Sequence, residues 1–194
     1  MNQLRREDLW SLEDYAQKRD AFRVQIMQHK KARTLHIGPN VTLLFEDRLT
    51  MQYQIQEMLR AERIFEAEGI QEELDTYNPL IPDGGNLKAT MLIEFTDVAE
   101  RQQALARLIG IEDQTWVQVA GFERVNAIAD EDMERENSDK TSSVHFLRFE
   151  LTAETVDALK QGAALNAGVS HPNYEHSQEP VPDALRQSLL ADLA

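Results

Sequence analysis

The sequence predicts a single α+β domain spanning residues 1–194, a mixed or largely antiparallel sheet packed by four to six helices. Three observations carry this. Segments with apolar residues at helical spacing are interspersed with segments of alternating apolar and polar residues. The two kinds do not follow the strict strand–helix–strand alternation of a parallel sheet. Segments 116–128 and 144–151, both strand-like, are separated only by a polar acidic stretch, which joins antiparallel neighbours and is too poor in apolar residues to be a crossover helix.

The first helix opens at Ser11, whose hydroxyl is placed to cap, with Glu13 and Asp14 in the first turn. Leu12, Tyr15, Phe22 and Ile26 then mark one face, and the helix runs to about Arg33. His36-Ile37-Gly38-Pro39-Asn40 reads as a turn, because proline disfavours helix in the residue before it. Val41 to Glu46 alternates and reads as a strand buried on one face. Asp47 leads into a second helix with Met51, Ile55, Met58, Glu62 and Phe65 on one stripe and Leu59 beside it. Ile70 to Tyr77 is a short third helix, stopped by Asn78-Pro79.

Asp83-Gly84-Gly85-Asn86 has the composition of a turn, and Leu87 to Phe95 that of a second strand. Asp97 with Glu100 forms a capping signal for a helix closed by Gly110. Trp116 to Ile128 is strand-like with a break at Gly121, and 130–142 reads as a loop. Val144 to Leu151 is a strand, Thr152 to Gln161 a helix closed by Gly162, and Ala163 to Val169 a last strand. Pro182 or Asp183 opens a terminal helix carrying Leu185, Leu189, Leu190 and Leu193.

Composition narrows the function classes. The 194 residues include 34 acidic and 20 basic, for a net charge of -14, and no cysteine. Disulfides, thiolate metal sites, cysteine-held iron–sulfur clusters and a cysteine nucleophile are therefore excluded. So negative a charge argues against nucleic acid as a partner, since affinity for phosphate comes from clustered Lys and Arg. No apolar run approaches the roughly 20 residues of a membrane span, and the first residues lack the apolar stretch of a signal peptide. A cytoplasmic location is expected. Charge is also uneven: residues 1–33, the basic first helix with Lys18, Arg19, Arg23, Lys30, Lys31 and Arg33, carry the opposite sign to the rest. This helix is expected to pack on or beside the core, its basic groups either meeting the acidic body or docking an anionic partner.

Candidate chemistry is sparse. Asp130-x-Asp132-x-Glu134 begins like a calcium loop, but Arg135 stands where glycine is required and Thr141 where the closing glutamate belongs. If 122–131 pairs with 143–151, Asp130 and Asp132 approach His145, giving two carboxylates and an imidazole, the ligand types of an iron, manganese or zinc site. His145 shares a face with Leu147, Phe149 and Leu151, which favours burial instead. Glu62 on an apolar stripe is expected to be paired with an arginine or poised at a cavity. His171 to His176 could chelate, yet reads as a surface loop. Arg48, Glu57, Tyr77 and Asn78 are polar residues near element ends, where ligand pockets form. No complete catalytic set, phosphate loop or nucleophile elbow is present.

The stretches GPNVTLLFEDRLTMQYQIQEMLRAERI, EELDTYNPLIPDGGNLKATMLIEFTD, LIGIE, ADEDMERE and SSVHFLRFEL resemble the bacterial domain-of-unknown-function family 3501, over nearly the whole chain. The resemblance implies no activity that carries over residue by residue. It implies genomic neighbours of rubrerythrin-like and iron–sulfur oxidoreductase type, and hence a partner in peroxide or electron-transfer metabolism. The function expected is an accessory or interaction protein of a redox or oxidative-stress system, with no cofactor of its own. A metalloprotein using Asp130, Asp132 and His145 and a small-ligand binding module are the alternatives.

Overall fold

The computed structural model describes residues 3–129, 131 and 140–194. Among the described residues, six α-helices and two sheets make up the α+β fold. The larger sheet has the order β1 (Thr34–Ile37), β2 (Val41–Phe45), β3 (Asn86–Ile93), β7 (Val144–Glu150), β6 (Ile128–Ala129). The smaller has the order β5 (Val125–Asn126), β4 (Thr115–Val119), β8 (Leu165–His171), β9 (Tyr174–Gln178). Every pairing among the described residues is antiparallel. The helices are α1 (Leu12–Ala32), α2 (Arg48–Glu62), α3 (Ala67–Tyr77), α4 (Val98–Arg107), α5 (Ala153–Lys160) and α6 (Asp183–Leu190).

The main core lies between the sheets. Leu43, Phe45, Leu87, Met91 and Phe149 from the larger sheet meet Val117, Val119, Leu165 and Val169 from the smaller, with α4, α5 and α6 adding Leu105, Leu159 and Leu189. Register explains the division of faces. Leu35 stands opposite Leu43 and Ile37 opposite Val41, so both pairs point to this core. His36 opposite Thr42, and Thr42 opposite Leu92, point the other way. On that second face Leu44, Leu92, Val144 and Phe146 stay only half-buried.

The N-terminal helices form clusters of their own. Met51, Ile55 and Leu59 of α2 pack on Leu74, Ile81 and Leu4, while Tyr15, Phe22 and Ile26 of α1 pack on Tyr53. Basic residues of α1 meet the acidic body. Arg19 forms a bidentate pair with Glu57, at 2.7 and 2.8 Å. His29 lies 2.6 Å from Asp47, and Arg33 is buried against Asp192.

The structure corrects several local expectations. Residues 34–37 are a strand and not the start of a turn, and the turn itself is 38–40. Residues 116–128 do not form one strand: β4 and β5 belong to the smaller sheet, and only Ile128–Ala129 crosses to pair with β7. The loop expected at 171–176 is a hairpin, with His171 opposite Tyr174 and a further strand, β9, beyond it. Helix α2 ends at Glu62 because Arg63 takes the left-handed conformation (φ 57°). Its stripe therefore stops short: Glu62 is exposed rather than paired in the core, and Phe65 is 68% exposed.

Candidate functional site

One end of the half-buried face of the larger sheet holds a cleft of about 680 Å³. Its floor is built by the β1–β2 hairpin. Gly38 (φ 67°) makes the turn, and a Cβ there would come within 2.6 Å of the His176 ring and 2.7 Å of the Tyr174 hydroxyl. That hydroxyl explains the crowding. It accepts from the backbone N–H of Asn40 (3.0 Å) and Val41 (3.1 Å) and donates to the Ile37 carbonyl (2.6 Å). A β9 side chain of the smaller sheet thus fixes the hairpin of the larger one. Tyr174→Phe removes a partner from one buried donor, one half-buried donor and a buried acceptor, and is expected to destabilise by about 1–3 kcal/mol. Urea unfolding followed by circular dichroism measures this.

Asn40 carries the order onward. Its amide donates to the Glu94 carbonyl at 2.9 Å, and its carbonyl accepts from Glu94 N–H at 2.8 Å. Glu94 in turn accepts from the Thr42 hydroxyl at 2.7 Å, and Thr42 Oγ1 lies 3.0 Å from His36 Nδ1. A hydroxyl has one proton, and the carboxylate can only accept, so Thr42 gives its proton to Glu94. His36 Nδ1–H must then donate to Thr42.

The opposite wall comes from α4, capped by Asp97, which accepts from the Glu100 N–H at 2.8 Å. Glu100 and Arg101 follow and line the cleft, as do Ser143 and Val144 at the start of β7. Among the described residues the side chains of Arg101, Glu100 and Ser143 make no hydrogen bond or ion pair. A second cavity of about 260 Å³ shares Asn40 and Phe95 with the first and is lined further on by Arg107 and Asn173.

The described residues singled out from sequence fall elsewhere. His145 is fully buried. Its Nε2 lies 2.9 Å from Thr141 Oγ1, 3.1 Å from the Ser142 carbonyl and 3.6 Å from the Glu112 carboxylate. The carbonyl can only accept, so this nitrogen carries the proton. Asp130 and Asp132 lie outside the described residues. Among the described residues no group of three His, Asp or Glu side chains is arranged to hold a metal.

Arg48 pairs with Asp8 at 2.8 Å beside a cavity of about 370 Å³ that also takes in Leu4 and Arg5. Glu57 is held by Arg19 and Tyr15, Asn78 brackets the backbone of Leu4 with both ends of its amide, and Tyr77 packs on the α2–α3 cluster. Each of the four thus serves a different contact. His171 is buried, with Nε2 3.1 Å from the Ile109 carbonyl, while His176 stacks edge-on against Tyr174.

His36, Thr42, Glu94 and Arg101 escape a reading of local pattern. Thr42 and Glu94 are 52 positions apart, and only the β2–β3 register brings them together. The signal that was available is the polar Thr42 within an otherwise apolar strand.

Fold and cleft together define a two-sheet α+β protein with a polar recess at the hairpin end of its larger sheet. The chain belongs to the family described as protein of unknown function (DUF3501), whose model matches residues 3–193. It is also similar to the crystal structure of a novel protein of unknown function from Burkholderia pseudomallei K96243. The two are 48% identical over 98% of this chain and 99% of that one, with a TM-score of 0.94. No curated protein matches. Among the described residues, no helix is long and apolar enough to cross a membrane.

Proposed function

We infer that the protein acts by binding, as an accessory protein, and that the hairpin-end cleft is where it binds. The observation that carries this reading is the recess of about 680 Å³, ordered by the His36–Thr42–Glu94 chain and walled by polar side chains without partners among the described residues. A rigid floor with a few convergent polar groups is the usual construction of a ligand site. The protein it assists is a redox protein of rubrerythrin-like or iron–sulfur oxidoreductase type, met through the acidic body. A chain with net charge -14 attracts a basic partner at long range, and it has no cysteine with which to hold an iron–sulfur cluster itself.

Nuclear magnetic resonance of the full chain with mixtures of small polar fragments tests the cleft. Amide shifts should cluster at His36, Asn40, Thr42, Glu94 and Ser143; shifts confined to other surfaces would overturn this placement. Association with such a redox partner should weaken steeply between low and high salt, and a complex indifferent to salt would contradict the electrostatic reading.

A further inference from the structure

We propose that the cleft takes a small zwitterion, an α-amino acid with an apolar side chain, its carboxylate on Arg101 and its ammonium between Glu94, Glu100 and His36. This rests on the reading of the cleft as a binding site and adds the chemistry of what fills it.

The cleft presents both signs of charge, and among the described residues neither is met by an ion pair. Arg101 is half-buried, and its guanidinium has no acceptor among the described residues. A guanidinium offers a planar fork of donors that matches a carboxylate. In the same recess, and among the described residues, Glu100 has no partner and Glu94 uses only one of its two oxygens, on Thr42. With its Nδ1 proton committed to Thr42, the neutral form of His36 adds an acceptor at Nε2.

A phosphate or other dianion would gain Arg101 but would lie against two carboxylates. A simple cation or polyamine would meet the carboxylates and strand the guanidinium. A neutral polar ligand would compensate neither. An ammonium and a carboxylate on one carbon satisfy both sets at once. The remaining wall suits the side chain: Leu92, Phe95 and Val144 are half-buried and apolar. The volume of the recess falls in the ordinary range for small-molecule sites, roughly 300–1,000 Å³.

Titration calorimetry on the full-length protein tests the proposal with L-phenylalanine and L-leucine as probes. Phenethylamine, hydrocinnamate and inorganic phosphate are the controls, each lacking one half of the recognition. The expected result is saturable binding of the amino acids, weakened about tenfold or more when either ligand charge is removed. Arg101→Gln and Glu100→Gln should each weaken it to a similar degree. Neither side chain has a partner among the described residues, so both variants should keep the thermal midpoint of the parent. Hydrocinnamate or phosphate binding as tightly as the amino acids, and losing affinity in Arg101→Gln, would overturn the zwitterion and leave a cleft that binds anions. Absence of amino-acid binding while fragments still shift the cleft amides would also overturn it and leave the site standing. Fragments that bind only elsewhere would remove both.

Discussion

Replacing Arg33 by alanine is expected to destabilise the protein by about 3–5 kcal/mol at neutral pH, the range for removing one partner of a buried ion pair. Arg33 caps the C-terminus of α1, yet its side chain is only 1% exposed. Nε donates to the Phe45 carbonyl at 2.9 Å, and Nη2 donates to the Glu46 carbonyl at 3.1 Å and to the Asp192 carboxylate. Nη1 reaches both the carbonyl and the hydroxyl of Ser188 at 3.2 Å, with Asp47 3.5 Å away. One guanidinium thus joins the first helix, the end of β2 and the C-terminal helix. Alanine takes this donor from three carbonyls and a buried carboxylate together.

For a chain of this length the loss corresponds to a fall in thermal midpoint of roughly 6–20 °C. A fall of under about 1 kcal/mol in urea titrations would refute the account.

The same site predicts how that loss depends on pH. Burial, with Asp47 adding to it and Arg33 opposing, pushes the Asp192 carboxyl up to about 6 from an ordinary 3.8. A raised carboxyl means that the native state binds the proton more tightly than the unfolded chain. This contribution to stability is fully present below pH 3.8 and is lost as pH rises through about 6. At pH 5, protonation relieves the stranded charge in Arg33→Ala, so the variant should recover part of its deficit there. Asp192→Asn should flatten the parent's slope between pH 4 and 6.

Arg33 also marks where sequence reading stops. The caps at Ser11 and Asp97 are visible because each is a local pattern with a local hydrogen bond, and the structure makes both. The larger sheet's inner face is visible for the same reason, as alternation in 41–46 and 144–151. Arg33 reads as one more cation on a basic helix, since its partner Asp192 is 159 positions away. Strand β9 is missed because its only buried residue is Tyr174, so no alternation shows. Strand β1 has the alternation of Leu35 and Ile37, but it is four residues long and lies between a helix end and a Gly-Pro turn. The cleft depends on register and on helix placement together. Polar residues such as His36 and Arg101 are ordinary surface positions until both are known.

At the other end of α1, Glu57→Gln is expected to cost about 3 kcal/mol at pH 7 and progressively less on acidification. Arg19 grips both oxygens of Glu57, and the Tyr15 hydroxyl donates to Oε1 at 2.7 Å. Arg19 first, and then Tyr15 against the opposing effect of burial, hold the carboxyl at about 2 instead of 4.5. At about 1.36 kcal/mol per pH unit that difference gives the stated magnitude. The sign is opposite to that of Asp192: a depressed carboxyl stabilises above pH 4.5, and the contribution disappears as pH falls toward 2. Glutamine keeps the shape and an acceptor for Tyr15 but removes the charge that Arg19 meets. The parent and Glu57→Gln stability curves should therefore converge below pH 3. Curves that stay parallel down to pH 2 would show that the loss comes from packing of α1 on α2 and not from the ion pair. Tyr15 supplies the alkaline counterpart. Burial and the neighbouring Glu57 hold its phenol above the ordinary value of 10, so the parent should lose stability as pH rises from 10 upward, and Tyr15→Phe should abolish that loss.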